Sequence, residues 1–177
     1  MRALYRIKQG LNNLTGVMRP EDWSLVMAWL SPAERSLFSK MQRPDQLHCV
    51  RVARWLLAEG EVDSSIIKAA LLHDVGKSRC RIGIAHRTLY VIMGRIFRSF
   101  PPLFSSPPGE YRWWLPYYVI ANHPRIGASI LAQAGCDERV WRLVELHQEN
   151  PQEVGFVSDA QWVRQALTRL RRADSHN

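Results

Sequence analysis

The chain of 177 residues is long enough for one domain with a real core, and its 46% apolar content is ordinary for a globular protein. A formal net charge of +8 and a pI of about 9.9 favour an anionic partner: a phosphorylated small molecule, nucleic acid or an anionic lipid headgroup. Three widely spaced cysteines, Cys49, Cys80 and Cys136, with no C-x-x-C, argue against a disulfide framework and a structural zinc finger and fit a reducing cytoplasm. The basic N-terminus lacks the apolar region of a signal peptide, and no uninterrupted apolar run approaches a membrane span.

Helical periodicity dominates and strand alternation is scarce. Residues 1–44 read as an N-terminal helical leader, and residues 45–177 as the main helical domain. Pro20 opens a helix over residues 21–30, with Trp23, Val26, Met27 and Leu30 at helical spacing. Ser31-Pro32-Ala33-Glu34 is a capping box with proline at the first helical position, starting a helix to about Gln42. The next begins at Pro44-Asp45, carries His48 in its first turns and stops at Gly60. Asp63 or Ser64 caps a fourth, whose run Ile66, Ile67, Ala70, Leu71 leads into His73-Asp74 and ends at Gly76.

The 78–114 segment stands apart as a basic and aromatic insertion. It contains a helix over residues 86–98, punctuated by Arg87, Arg95 and Arg98 and preceded by Arg79 and Arg81. A Pro/Ser loop over 101–109 and an aromatic stretch over 111–118 follow. The 86–98 helix has three readings: a core or homodimer-interface helix, which is favoured, a lid over a cleft, or peripheral attachment to anionic membrane. Beyond it, His123 stands at the N-terminus of a helix over residues 124–134 that Gly135 ends. Asp137 caps the next, with His147 near its end, and Asn150-Pro151 breaks it. Ser158-Asp159-Ala160-Gln161 is a second capping box, opening a last helix toward Asp174.

The chemistry gathers at Ala70-Leu71-Leu72-His73-Asp74-Val75-Gly76-Lys77. An imidazole and a carboxylate end an apolar helical run, and burying them without partners is costly. A metal ion removes that cost for both. His48, His73-Asp74 and Asp174, on separate helices in that order, resemble the HD-domain metal-dependent phosphohydrolases. His73-Asp74-Val75-Gly76-Lys77 looks like the H-D-I-G-K form of that motif. Asn122-His123-Pro124 through Gly127 looks like the H-P-x-x-G segment of the HD-GYP and related subfamilies. Leu146-His147-Gln148-Glu149 resembles their H-H-E segment, with glutamine for the second histidine. No G-Y-P segment follows His147, so a cyclic-dinucleotide phosphodiesterase is not indicated.

The resemblance covers about residues 45–174. It implies an all-α, single-domain orthogonal helix bundle of HD type. It also implies His48, His73, Asp74 and Asp174 as ligands of a divalent ion, Mn, Fe, Co, Ni or Mg, suited to mixed imidazole and carboxylate donors. His123 and His147 either bind a second ion bridged by Asp74 or donate to phosphate above a single one. Asp74 and Lys77 are the catalytic candidates; Lys77 and Arg125 are candidates for gripping a substrate phosphate. The implied activity is hydrolysis of a nucleotide or other small phosphate ester by metal-activated water. Its rivals are a dinucleoside polyphosphate hydrolase of the same fold and a non-catalytic nucleotide- or partner-binding module. The scattered basic residues form no nucleic-acid recognition motif. Cys49 reads as a small buried residue, and His86 and His176 as surface residues.

Overall fold

A computed structural model describes residues 17–96, 112–153 and 159–176. Every regular element among them is helical, as expected: α1 (Pro20–Trp29), α2 (Pro32–Ser39), α3 (Arg43–Ala58), α4 (Ser64–Leu72), α5 (Ile84–Ile96), α6 (Leu115–Gln133), α7 (Glu138–Leu146) and α8 (Ala160–His176). Short 3-10 turns span Val75–Arg79 and Arg112–Trp114. The Pro/Ser loop, the end of the 86–98 helix, Tyr111 and Ser158 lie outside the described residues.

Helix α4 is the axis. Ile66, Ile67, Ala69, Ala70, Leu71 and Leu72 are all buried, so the helix is apolar nearly all round and must be enclosed. Asp63 fixes its start by accepting from the Ser65 and Ile66 amides. Helices α3 and α7 pack against it, and α1 and α8 close the remaining sides. Val26, Leu30, Phe38 and Met41 bring α1, α2 and the turn after them into this same core. Wherever the core ends, α4 ends too, and His73 and Asp74 follow directly.

Three boundaries differ from the expectation. Helix α2 stops at Ser39, because the Lys40 and Met41 amides turn back to the Leu37 and Phe38 carbonyls. The α4 helix stops at Leu72 rather than Gly76. The Ala70 carbonyl of its last turn is met by the His73 side chain, and the chain tightens through Asp74 into the 3-10 turn. Helix α6 starts at Leu115 and runs straight through Pro124, which the sequence alone places at a helix start. The cause lies in the His123 side chain and is taken up below.

The α3–α4 connection is built from its own backbone. Gly60, at φ +86°, allows its amide to reach the Leu57 carbonyl while Glu61 reaches Leu56 at 2.9 Å. The Glu61 carboxylate is buried and accepts from the Val62 and Asp63 amides at 3.0 Å and from Arg169 of α8 at 2.7 Å. This one acid ties the connection to α8.

Burial would raise the Glu61 pKa, but the Asp63 amide, the Arg169 guanidinium and the Val62 amide outweigh it and hold the group below its ordinary value near 4.5. Glu61→Gln is therefore expected to lose about 1–2 kcal/mol at pH 7. A depressed carboxylate stabilises fully above its unfolded pKa, and that stabilisation is lost as pH falls through the folded one. Urea titrations should show the wild-type advantage at neutral pH and little of it at about pH 3. Equal differences at both would contradict the assignment.

Candidate metal centre

The structure brings all six sequence-predicted ligands together. His48 comes from α3, His73 and Asp74 from the end of α4, His123 from α6, His147 from the C-cap of α7 and Asp174 from the last turns of α8. His73, Asp74, His123 and His147 are buried, and His48 and Asp174 partly so. They form two groups that could hold a metal ion. The donor atoms of His48, His73 and Asp74 lie within 4.8 Å of one another, and so do those of Asp74, His123 and His147. Asp74 belongs to both. Asp174 adds its Oδ1 to the first group, 2.8 Å from His48 Nε2 and 3.9 Å from His73 Nε2. Neighbouring rings, His48–His73, His73–His147 and His123–His147, have centroids 5.2 Å apart.

The local backbone decides which ring nitrogen each histidine offers. His73 Nδ1 lies 2.9 Å from the Ala70 carbonyl and His147 Nδ1 lies 2.7 Å from Val144. Both carbonyls belong to the last turn of a helix, where no intrahelical amide reaches them. His123 sits mid-helix, where such a carbonyl would normally be occupied. Pro124 has no N–H, so the Ile120 carbonyl is left without its usual partner, and His123 Nδ1 takes it at 2.7 Å. A carbonyl only accepts, so each Nδ1 carries the proton and each Nε2 presents a lone pair.

Those lone pairs face other acceptors. Asp74 Oδ1 is 3.3 Å from His123 Nε2 and 3.8 Å from His73 Nε2. Acceptors opposed at such distances need a cation between them. Protons are a poor answer: burial, then the neighbouring His73 and His123, lower the His147 pKa to about 3, and burial lowers that of His73. His73 and His147 stay neutral, and the Asp74 and Asp174 carboxylates stay charged. Burial would raise the Asp74 pKa, but Lys77 first and then His73 and His123 hold it well below the usual range. Asp174 is held at about 2, because its bond to His48 and the neighbouring His73 outweigh burial. Neutral nitrogens and ionised oxygens around a shared carboxylate suit divalent cations.

The surroundings sort the remaining candidates. Lys77 Nζ lies 2.8 Å from Asp74 Oδ2, so one carboxylate oxygen is paired and the other turns to the histidines. Burial works against the Lys77 charge, but Asp74 and then Asp45 raise its pKa and keep it protonated. Arg125 is not brought to the cluster. It is exposed, and two residues along α6 carry it about 200° round from His123. Cys49 is buried, with its thiol pushed well up by burial and by Asp74 and Asp45, so it remains an S–H.

One neighbouring pair escapes a reading of the sequence. Buried Asp45, in the first turn of α3, receives both terminal nitrogens of Arg87 from α5 at 2.8 Å. This pair borders the centre, since Asp74 also stabilises the Arg87 charge. The available signal was weak: residues 75–109 contain no acid, so any pairing cation there must find one in a distant element. Gln148, which stands in place of the motif's second histidine, has its side-chain nitrogen 3.4 Å from His123 Nε2.

Close backbone contact sets the spacing of the two halves. A Cβ on Gly76 would collide with the His123 carbonyl and come within 2.8 Å of the Gly127 amide. A Cβ on Gly127 would meet Val144 at 3.1 Å and the Gly76 amide at 3.2 Å. The glycines of the two motifs therefore face each other, pressing the 3-10 turn onto α6 and His123 toward Asp74. Surface clefts elsewhere are lined by ion pairs such as Arg169–Glu61 and Arg139–Asp159 that already satisfy each other.

Two substitutions test this architecture. Pro124→Ala restores an amide that competes for the Ile120 carbonyl. Metal affinity should fall about tenfold, while calorimetry of the metal-stripped protein shows undiminished stability. Unchanged affinity would mean that the proline does not orient His123. Gly76→Ala should cost about 3 kcal/mol in urea titrations and lower metal content with it. A variant of wild-type stability would contradict the close approach.

No curated protein and no solved structure matches the chain. The family model described as HD domain matches residues 47–174, from just before His48 to Asp174. Proteins of that family are generally metal-dependent hydrolases. With the match extending over most of the chain and both donor groups inside it, the chain belongs to the HD-domain family.

Proposed function

We propose that this protein is a metal-dependent phosphohydrolase acting on a nucleotide or other small phosphate ester. The observation that carries the reading is the pair of donor groups joined at the buried Asp74 carboxylate. His48, His73, Asp74 and Asp174 would hold one divalent ion, and Asp74, His123 and His147 a second. Bound there, such ions supply Lewis-acid charge to a phosphoryl group and activate water for attack on phosphorus. The chain's own residues prepare the place. Carbonyl-bound Nδ1 atoms fix three imidazoles with Nε2 outward. Lys77 orients Asp74 through Oδ2. Lys77 and Arg87 offset the Asp74 and Asp45 charges, so the bound ions would supply the positive potential that favours a phosphorylated substrate over a neutral one. Of the two candidates for gripping phosphate, Lys77 stands at the cluster and Arg125 does not.

A second reading rests on Gln148. Its amide beside His123 Nε2 competes for that lone pair and favours a single ion, held by His48, His73, Asp74 and Asp174. Metal analysis of protein purified without chelator separates the two when run beside hydrolysis of a generic phosphodiester and a phosphomonoester in Mn. Two ions per chain with turnover support the dinuclear reading; one ion with turnover supports the other. Asp74→Ala should lose both metal and turnover, by at least about a thousandfold in rate. Wild-type turnover in that variant would sink the assignment. A metal-loaded chain inert to every phosphoester, yet binding nucleotide saturably, would replace it with a binding module.

A further inference from the structure

Helix α5 is amphipathic in the reverse sense. Its inward side carries His86, Arg87, Tyr90 and Met93, all half-buried. Arg87 is paired to Asp45 beside the centre, and the His86 ring packs edge-on against Tyr117 of α6 at 5.6 Å. Its outward side carries Ile84, Ala85, Thr88, Leu89, Val91 and Ile92, with no charge among them. The four large aliphatic residues of this face are 43–56% exposed. No described element covers this face, so of the favoured expectation, a core or homodimer-interface helix, the core alternative is not met. A contiguous apolar patch of this kind on a surface helix marks an interaction site.

Charge indicates what covers it. Residues 75–96 contain five cations, Lys77, Arg79, Arg81, Arg87 and Arg95, and no acid. Lys77 and Arg87 are paired inward, while Arg79 and Arg81 are exposed just ahead of the helix. A second copy docking by this face would bring two cationic segments together, with no acid in either to answer the arginines. An anionic bilayer answers both features at once, taking aliphatic side chains below its headgroups and arginines among its phosphates. Trp113, 75% exposed one turn before Tyr117, is of the residue type that favours such an interface. No helix among the described residues is long and apolar enough to cross a membrane, so the fit is in-plane attachment.

We propose that α5 is a peripheral membrane-binding surface for anionic phospholipid. The surface stands independently of whether the metal centre hydrolyses phosphate. Flotation of the full chain with phosphatidylcholine vesicles, with and without phosphatidylglycerol, tests it. The chain is expected to float with the anionic vesicles and not the neutral ones, less so as salt is raised. Val91→Asp and Ile92→Asp change exposed positions and should leave thermal unfolding unaltered, yet each should weaken anionic-vesicle binding about tenfold or more. Arg79→Glu with Arg81→Glu, which leaves the apolar face intact, should weaken it as well. The proposal fails if the wild type ignores anionic vesicles, or if both aspartate variants float as well as the wild type. It also fails if the chain forms a dimer that Ile92→Asp dissociates while no vesicle binding is seen.

Discussion

Asp74 is buried at the meeting point of five helices and the 3-10 turn, and its two oxygens face different partners. Oδ2 lies against Lys77, and Oδ1 is set toward His73 and His123. A buried carboxylate persists only when its partners outweigh lost hydration. Here the nearest partner is an ammonium three residues away, delivered by the same tight turn that ends α4. The helix boundary at Leu72, the Gly76–Gly127 contact and the approach of α6 all follow from placing that one group among its neighbours.

The three carbonyl-bound histidines share one device reached by two routes. At the ends of α4 and α7 the carbonyls are unmet because the helices stop. Inside α6 one is unmet because Pro124 has no amide to offer. In each case the side chain repairs a backbone deficit of its own helix, and the repair fixes the tautomer. Orientation of the centre is thus largely local, built within three residues of each histidine. Only the convergence of the helices is long-range.

Helix α5 joins the centre to the surface. Its bidentate Arg87–Asp45 pair anchors it to α3 beside Lys77, and its aliphatic side is left facing outward. An ordinary surface helix turns its apolar stripe to the core. The reversal follows from what α5 packs against: the Asp45 carboxylate takes Arg87 and the Tyr117 ring takes His86 edge-on, which leaves the aliphatic residues outside.

Much of this was legible in the sequence because it is local. The capping box at Ser31, the Asp63 and Asp137 caps and the apolar run of α4 depend on contacts within one helical turn. The ligand types and their order were legible as well, through the resemblance their motifs carry. Tertiary structure alone decided the rest. His123 lies inside a helix and not at its start, because its own side chain relieves the proline, a trade that propensity does not register. Arg125 turns away and Arg87 turns in, since the helix direction and a partner 42 residues distant fix those faces. His48 meets Asp174 across 126 residues, and no period or spacing encodes a contact of that separation. Sequence determined which groups would need partners; packing determined which partners they found, because burial makes an unmet charge too costly to leave alone.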